Sequence, residues 1–441
     1  MNSSVTHQGD SRRKAPVVTA VAAAENGEIF ELDGYGAVGF SGDRPVVLTR
    51  DHTIAMPHGS ELMMLPDRAP VVYNPARDRF ETLTQNPYAP DEKIFAVAVF
   101  NSPGYVNRYF CAYDVPAGAG HLPLFSYGAV GFGRKRFRSA ALQVDAEPRQ
   151  DLRQMPQNRV VKGVAQMQKK YPDNRLMRHL ETCALQYGCP AGKNFFLKRY
   201  EAPLPTSRVC NAACLGCISL QAGTGLHACQ DRIAFTPTAE EIAQVALTHI
   251  RQVPKAVVSF GQGCEGEPLT AHSVIIPAVR MIREKTDRGT VNLNTNASLP
   301  EHVRSLCDAG LDSMRVSMNS VRKAPYTAYF RPKSYTWEDV LKSIDTARSR
   351  GRFVSINYLN CPGFTDLEQE AAALFDFIRT HDITMIQWRN LNYDPRQYVA
   401  AMEAAAPGGP AMGMAALIDA LKQAFPRLIH GYFNPPKERW C

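Results

Sequence analysis

From about residue 200 to 390 the chain alternates short apolar runs with amphipathic helical stretches, six times over. The runs lie within Leu204–Val209 and at Ala256–Phe260, Val291–Asn294, Ser313–Ser317, Phe353–Leu359 and Ile383–Trp388. Between them, Thr238 and Glu241 make a capping box, with Ile242, Val245, Ala246, Ile250 and Val253 following at helical spacing. Pro300 opens a helix that Gly310 closes, and Thr336 caps another that ends at Gly351. This alternation predicts a parallel sheet with helices outside it. Six units are too few for a closed eight-stranded barrel. In such architectures ligands gather at the carboxyl ends of the strands.

Polar motifs stand at those ends. The first run leads into Cys210-Asn-Ala-Ala-Cys214-Leu-Gly-Cys217. Three thiolates on one short loop can hold three irons of a cubane cluster and leave the fourth iron open. Zinc usually wants a fourth protein ligand at matching spacing, and no second CxxC pair follows. A disulfide would leave one cysteine over. The second run leads into Gly261-Gln-Gly-Cys-Glu-Gly-Glu-Pro268, whose glycines let backbone approach a ligand. The third ends in Asn294-Thr-Asn296 and the fourth in Ser317-Met-Asn319; Arg331 follows, a guanidinium able to hold a carboxylate. Loops are polar in any case, so each of these single residues also reads as plain loop surface.

The CxxxCxxC loop resembles that of the radical S-adenosylmethionine enzymes, and Gly266-Glu267-Pro268 resembles their GGEP motif. The resemblance covers about 200 to 390. It implies a partial six-unit (β/α) barrel and a [4Fe–4S] cluster on Cys210, Cys214 and Cys217. It also implies S-adenosylmethionine on the open iron, cleaved reductively to a 5′-deoxyadenosyl radical that takes hydrogen from a substrate. Cofactor contacts would fall on Gly266, Glu267 and Pro268 for the methionine ammonium, and on Asn294 and Asn296 for the ribose. Ser317, Asn319 and Arg331 would serve the carboxylate or ribose. An electron donor such as flavodoxin or ferredoxin is implied as a partner. One position departs from the pattern: the family usually has an aromatic residue before the third cysteine, and this chain has Gly216. Adenine packing is then expected from Leu215 or from the strand at 353–359.

The 441 residues are comfortable for two domains. Residues 1–16 are polar and basic and read as a disordered start. Residues 17–150 read as a β-rich domain, with apolar runs punctuated by Gly, Pro, Asp and Asn. One hexapeptide, Tyr-Gly-Ala-Val-Gly-Phe, occurs at 35–40 and again at 127–132. It reads either as a duplicated β-unit or as a recurring small-residue hairpin. Residues 151–199 read as a basic helical connector, 200–395 as the partial barrel, and 396–441 as a C-terminal helix and tail.

The net charge of +8 is unevenly placed. Arg134 to Arg178 holds twelve Lys/Arg against four Asp/Glu, an excess equal to that of the whole chain. Such a field favours an acidic or phosphate-bearing substrate, unless it is only a solvated linker. No apolar run approaches a membrane span, and eleven cysteines without a disulfide pattern suit a reducing cytoplasm. Cys183 and Cys189, with Cys229 or Cys264, are candidates for an auxiliary cluster, though no CxxC spacing supports one. Cys264 is also placed to donate hydrogen or accept a methyl group, or simply to fill a tight loop. Gln387-Trp-Arg-Asn390 puts an aromatic ring and a guanidinium at the barrel mouth. The competing reading is a non-catalytic, zinc- or cluster-stabilised protein whose basic segment binds nucleic acid. The sequence assigns no catalytic residue.

Overall fold

The computed structural model describes residues 17–440; the expected disordered start at 1–16 and Cys441 lie outside the described residues. Up to about residue 145 the chain is β-structure, built on a twelve-stranded sheet. Strand Thr19–Ala24 pairs on one side with Ile29–Ser41 and on the other with Val130–Phe132, which carry the two hexapeptides. The copies are used alike. Ala37 donates its N–H to Val18 O (2.7 Å) and accepts from Leu48 N (2.8 Å); Ala129 donates to Tyr109 O (3.1 Å) and accepts from Ala140 N (2.9 Å). A Cβ on Gly131 would stand 2.8 Å from Ala37 Cβ, and one on Gly39 3.2 Å from Ala129 Cβ. The third residue of each copy thus packs on the fifth of the other. This reciprocity supports a duplicated unit.

Three helices follow, α1 (Gln157–Lys170), α2 (Arg175–Leu185) and α3 (Pro190–Phe196). Val160, Val164, Met167, Leu176, Leu180 and Phe195 on them belong to the same apolar core as the parallel sheet. Of the basic residues in this region, Arg149 is buried and donates to Asn434 O at 2.6 Å, Arg153 pairs with Asp151, and Arg175 pairs with Glu241. Arg134 and Lys135 occupy a hairpin turn with positive φ.

The parallel sheet has seven strands in chain order: β1 (Glu201–Pro203), β2 (Val257–Phe260), β3 (Thr290–Thr295), β4 (Ser313–Met318), β5 (Phe353–Asn360), β6 (Met385–Asn390) and β7 (Ile429–Gly431). β1 and β7 do not pair, so the sheet is an open partial barrel. Helices α4 (Ala239–Gln252), α5 (His272–Lys285), α6 (Pro300–Ala309), α7 (Lys323–Phe330), α8 (Trp337–Ser349) and α9 (Glu368–His381) lie between its strands. The Thr238 capping box is present, and its Glu241 also holds Arg175 at 2.7 Å, tying α2 to α4. Two details correct the sequence reading. The first strand precedes Leu204, because from Thr206 onward the backbone bonds to the loop after β2 instead of to the sheet. The expected C-terminal helix and tail is two helices, α10 (Pro395–Ala405) and α11 (Met414–Ala424), followed by the seventh strand.

The β-rich region docks on the carboxyl ends of β5 and β6. Asn107 donates its N–H to Asn390 Oδ1 (2.8 Å), Asn360 Nδ2 donates to Asn107 O (2.8 Å), and Asn390 Nδ2 donates to Tyr105 O (3.0 Å). The buried Tyr113 hydroxyl donates to Asp394 Oδ1 at 2.6 Å. Among the described residues no helix is long and apolar enough to cross a membrane.

Candidate functional site

The loop after β2 and the chain leaving β1 are zipped together by a residue that no motif singled out. The buried Glu265 carboxylate accepts the backbone N–H groups of Thr206 (2.8 Å), Ser207 (3.0 Å), Gly261 (2.7 Å) and Gln262 (2.8 Å), and the Thr206 hydroxyl (3.1 Å). Burial pushes its pKa up, and these backbone donors oppose the shift. Gly266 N donates to Ser207 O (2.7 Å) and Glu267 N to Val209 O (2.9 Å). Two glycines are dictated by this closeness. A Cβ at Gly266 would lie 2.0 Å from Val209 O; one at Gly261, where φ is +76°, would lie 1.8 Å from Asn294 O.

The zipper delivers the chain to the cysteine loop, which is strapped against the end of α7. Ala213 N donates to Phe330 O (3.0 Å), Leu215 N to Tyr329 O (3.0 Å) and Lys333 N to Asn211 O (2.9 Å). Cys210, Cys214 and Cys217 are all free and partly buried. Burial, then the proximity of Cys210 and Cys217, pushes the Cys214 thiol up. Burial, then the nearby Glu267 carboxylate, raises Cys210. Arg232 Nη2 donates to Ser219 Oγ at 3.1 Å and reaches Cys217 Sγ at 3.8 Å, a cation beside the trio that the sequence reading missed.

The three thiols lie close enough to act on one another, Cys210 and Cys217 both raising Cys214. Three free thiols on one short loop suit three irons of a cubane.

The other expected site residues divide by role. Glu267 is buried and fully engaged: it accepts Leu269 N (3.0 Å), Asn296 N (2.8 Å) and the Thr295 hydroxyl, while burial pushes it up to about 7. Pro268 starts the short 3₁₀ turn behind it. Asn296 Nδ2 donates to Asn211 Oδ1 at 2.8 Å, bracing the cysteine loop. Asn294 lies on the inner face of β3, with Nδ2 donating to Phe260 O at 2.8 Å. Ser317 lies on the inner face of β4, partly exposed. Arg331 is exposed, next to Pro332, which bridges to Ala212 of the cysteine loop. Asn319 is a correction: β4 ends at Met318, and the Asn319 side chain turns into the core, donating to Pro325 O and Tyr398 Oη at 3.2 Å each. At Gly216 a Cβ would lie 3.0 Å from Tyr329 Oη and 3.3 Å from Tyr393 Cβ, so two tyrosines close the space an aromatic residue would need. Leu215 is buried in the main core.

The lumen beneath is polar. Side chains alternate along a strand, so Asn292 and Asn294, Ser313, Arg315 and Ser317, Ser355 and Asn357, and Gln387 and Arg389 face inward. Arg315 Nη1 donates to Gln387 Oε1 (3.0 Å), and Arg389 Nη2 approaches the same oxygen (3.4 Å) with its guanidinium over Tyr432. Among the described residues neither arginine has a carboxylate within 4.0 Å. Burial, then the charge of Arg389, pulls Arg315 down to about 9, and burial lowers Arg389. Arg315 Nε and Asn357 Oδ1 are buried without a partner.

Residues 204–376 match the family model described as the Radical SAM superfamily. A GTP 3′,8-cyclase from Rhizobium leguminosarum bv. trifolii (strain WSM2304) is 28% identical over 156 residues, 34% of this chain and 42% of that protein. The chain thus spans less than half the length of that curated relative. Among solved structures, Streptococcus suis SuiB is 12% identical over 71% of this chain and 70% of its own, with a TM-score of 0.37. A radical SAM methyltransferase from Sphaerobacter thermophilus is 16% identical over 51% and 63%, with a TM-score of 0.35. With the family match running from the end of β1 through the cysteine loop and the loop after β2, residues 204–376 form a domain of the radical SAM superfamily, which implies a [4Fe–4S] cluster and S-adenosylmethionine.

Proposed function

We propose that Cys210, Cys214 and Cys217 hold a [4Fe–4S] cluster, with S-adenosylmethionine bound between it, the loop at 261–268 and the ends of β3 and β4. When bound, the cluster supplies the electron that cleaves S-adenosylmethionine reductively, and the 5′-deoxyadenosyl radical takes hydrogen from the substrate. The observation that carries this reading is the trio of free thiols beyond the carboxyl end of β1, on a loop that the Glu265 zipper ties to the loop after β2.

The chain's own residues have distinct tasks in this reading. Glu265 and Glu267 fix the loop so that its backbone carbonyls can receive the methionine ammonium. Glu267 serves mainly as a brace, since three protein donors already occupy its carboxylate. Ser317 and Arg331 keep uncommitted polar groups near the cysteine loop for the carboxylate or ribose. Tyr329 and Tyr393 stand where the family's aromatic residue would be and offer the apolar wall for adenine.

Arg315 and Arg389 support an anionic substrate, carboxylate- or phosphate-bearing, held in the lumen. Two half-buried guanidinium groups that, among the described residues, have no carboxylate within 4.0 Å are costly to maintain unless a ligand supplies the charge. The β-rich region, bonded to Asn360 and Asn390, covers the mouth on the β5–β6 side and limits water there. Reduction would come from a flavodoxin- or ferredoxin-type donor. All ten described cysteines are free, in keeping with a reducing, cytoplasmic setting.

Anaerobic reconstitution tests the reading. Wild type should bind about four irons per chain in the cluster loop and form 5′-deoxyadenosine from S-adenosylmethionine and dithionite. Cys210→Ala, Cys214→Ala and Cys217→Ala should each abolish this. A colourless protein that forms no 5′-deoxyadenosine would overturn it.

A further inference from the structure

His179 and Cys183 stand four residues apart on α2 and therefore share a face. Cys264 meets them from the loop after β2. His179 Nε2 lies 3.5 Å from Cys183 Sγ, and one ring nitrogen and the two sulfurs all fall within 4.8 Å of one another. Both thiols are buried, 2% exposed at Cys183 and 6% at Cys264, while His179 is partly exposed. The cluster loop and the lumen leave these three side chains unused.

We propose that His179, Cys183 and Cys264 form a zinc site that fastens α2 to the loop carrying Glu265 and Glu267. Zinc takes imidazole nitrogen at about 2.0–2.1 Å and thiolate sulfur at about 2.3 Å, which sets tetrahedral ligand atoms roughly 3.5–3.8 Å apart. The His179–Cys183 separation already has that value. The remaining pairs need to close by no more than about 1 Å, within reach of small side-chain rotations. One imidazole and two thiolates form a donor set that suits zinc and not a hard cation such as magnesium. The fourth position is left to water. On binding, the thiols release their protons to solvent and the histidine coordinates in its neutral form.

The placement gives the metal a structural task. Cys264 directly precedes Glu265, whose carboxylate organises the start of the cysteine loop. A metal tie at Cys264 would anchor that loop to α2.

The test uses the full chain with Cys210, Cys214 and Cys217 all changed to Ala, so that no metal can reside on the cluster loop. Purified without added metal, this protein is expected to carry about one zinc per chain by plasma mass spectrometry. His179→Gln or Cys264→Ser in the same background should lower that at least tenfold. After removal of zinc, titration with Co²⁺ should produce a thiolate-to-cobalt charge-transfer band. Absence of both zinc and the cobalt band in the background that keeps His179, Cys183 and Cys264 overturns the site, as does a Cys183–Cys264 disulfide under anaerobic handling. The cobalt titration of the protein that keeps His179, Cys183 and Cys264 stands even where the His179→Gln and Cys264→Ser variants fold poorly. Its outcome is independent of 5′-deoxyadenosine formation, so this site and the proposed function fail separately.

Discussion

Glu267 accepts the backbone N–H of Asn296 at 2.8 Å. One carboxylate in the loop after β2 thereby positions the first residue beyond β3, and Asn296 passes the restraint to Asn211 of the cysteine loop at 2.8 Å. Glu267→Ala would leave two buried N–H groups and the Thr295 hydroxyl without their acceptor. Each orphaned donor costs about 1–3 kcal/mol. The variant should lose on the order of 3 kcal/mol in chemical denaturation and bind S-adenosylmethionine at least tenfold more weakly by calorimetry, with iron content unchanged. Wild-type affinity in the variant would show that the brace does not shape the cofactor pocket.

Arg232 should tune the cluster. Its guanidinium lies 3.8 Å from Cys217 Sγ, where positive charge favours the more negative, reduced state. Arg232→Met should shift the midpoint of an EPR-monitored redox titration downward, on the order of tens of millivolts. An unchanged or higher midpoint would contradict this placement of charge.

Arg315 should trade stability for binding. Replacing a half-buried guanidinium that has no paired carboxylate among the described residues by an apolar side chain of similar length removes a desolvation penalty. Arg315→Met is therefore expected to raise the thermal midpoint of the substrate-free protein, equivalent to about 1–3 kcal/mol. The stabilisation that wild type gains from added inorganic phosphate or pyrophosphate should at the same time be lost. A lower midpoint with unchanged anion stabilisation would mean that Arg315 is a structural residue.

His249 should govern part of the acid sensitivity. It is 2% exposed, its ring nitrogen bonds to Tyr200 O at 3.2 Å, and burial pulls its pKa down to about 4. The unfolded chain binds this proton near pH 6.5 and the folded chain only near 4, so stability is full above 6.5 and falls as pH drops between these values. The loss amounts to about 3 kcal/mol at the acid end. His249→Gln keeps a hydrogen-bonding side chain and removes the titration. Urea midpoints measured from pH 7 to 4 should fall less steeply for the variant, and parallel curves would rule out this contribution.

Much of this protein was legible in the sequence because its signals are local. Strand and helix alternation follows from apolar spacing within each segment, and the capping box at Thr238 needs only its own four residues. The CxxxCxxC loop is likewise a matter of three thiols at fixed spacing. Contacts between distant segments were not legible. The seventh strand is only Ile429–Gly431, three residues that become a strand by pairing with β6. Asn319 shares its spacing with Ser317, yet β4 ends between them and the next turn carries Asn319 into the core.

The sequence by itself determined the fold class, the radical SAM motifs and the CxxxCxxC loop, because each depends on residue type and short-range spacing. Tertiary structure alone decided which polar residues act. It buried Glu265 among five donors from two loops, left Arg315 and Arg389 in the lumen without a carboxylate partner among the described residues, and brought Cys264 to His179 and Cys183. The physical reason is that the energy of a polar side chain is set by what surrounds it once water is gone. Those surroundings come from segments roughly 60 to 80 residues apart in the chain, a separation that no short-range pattern encodes.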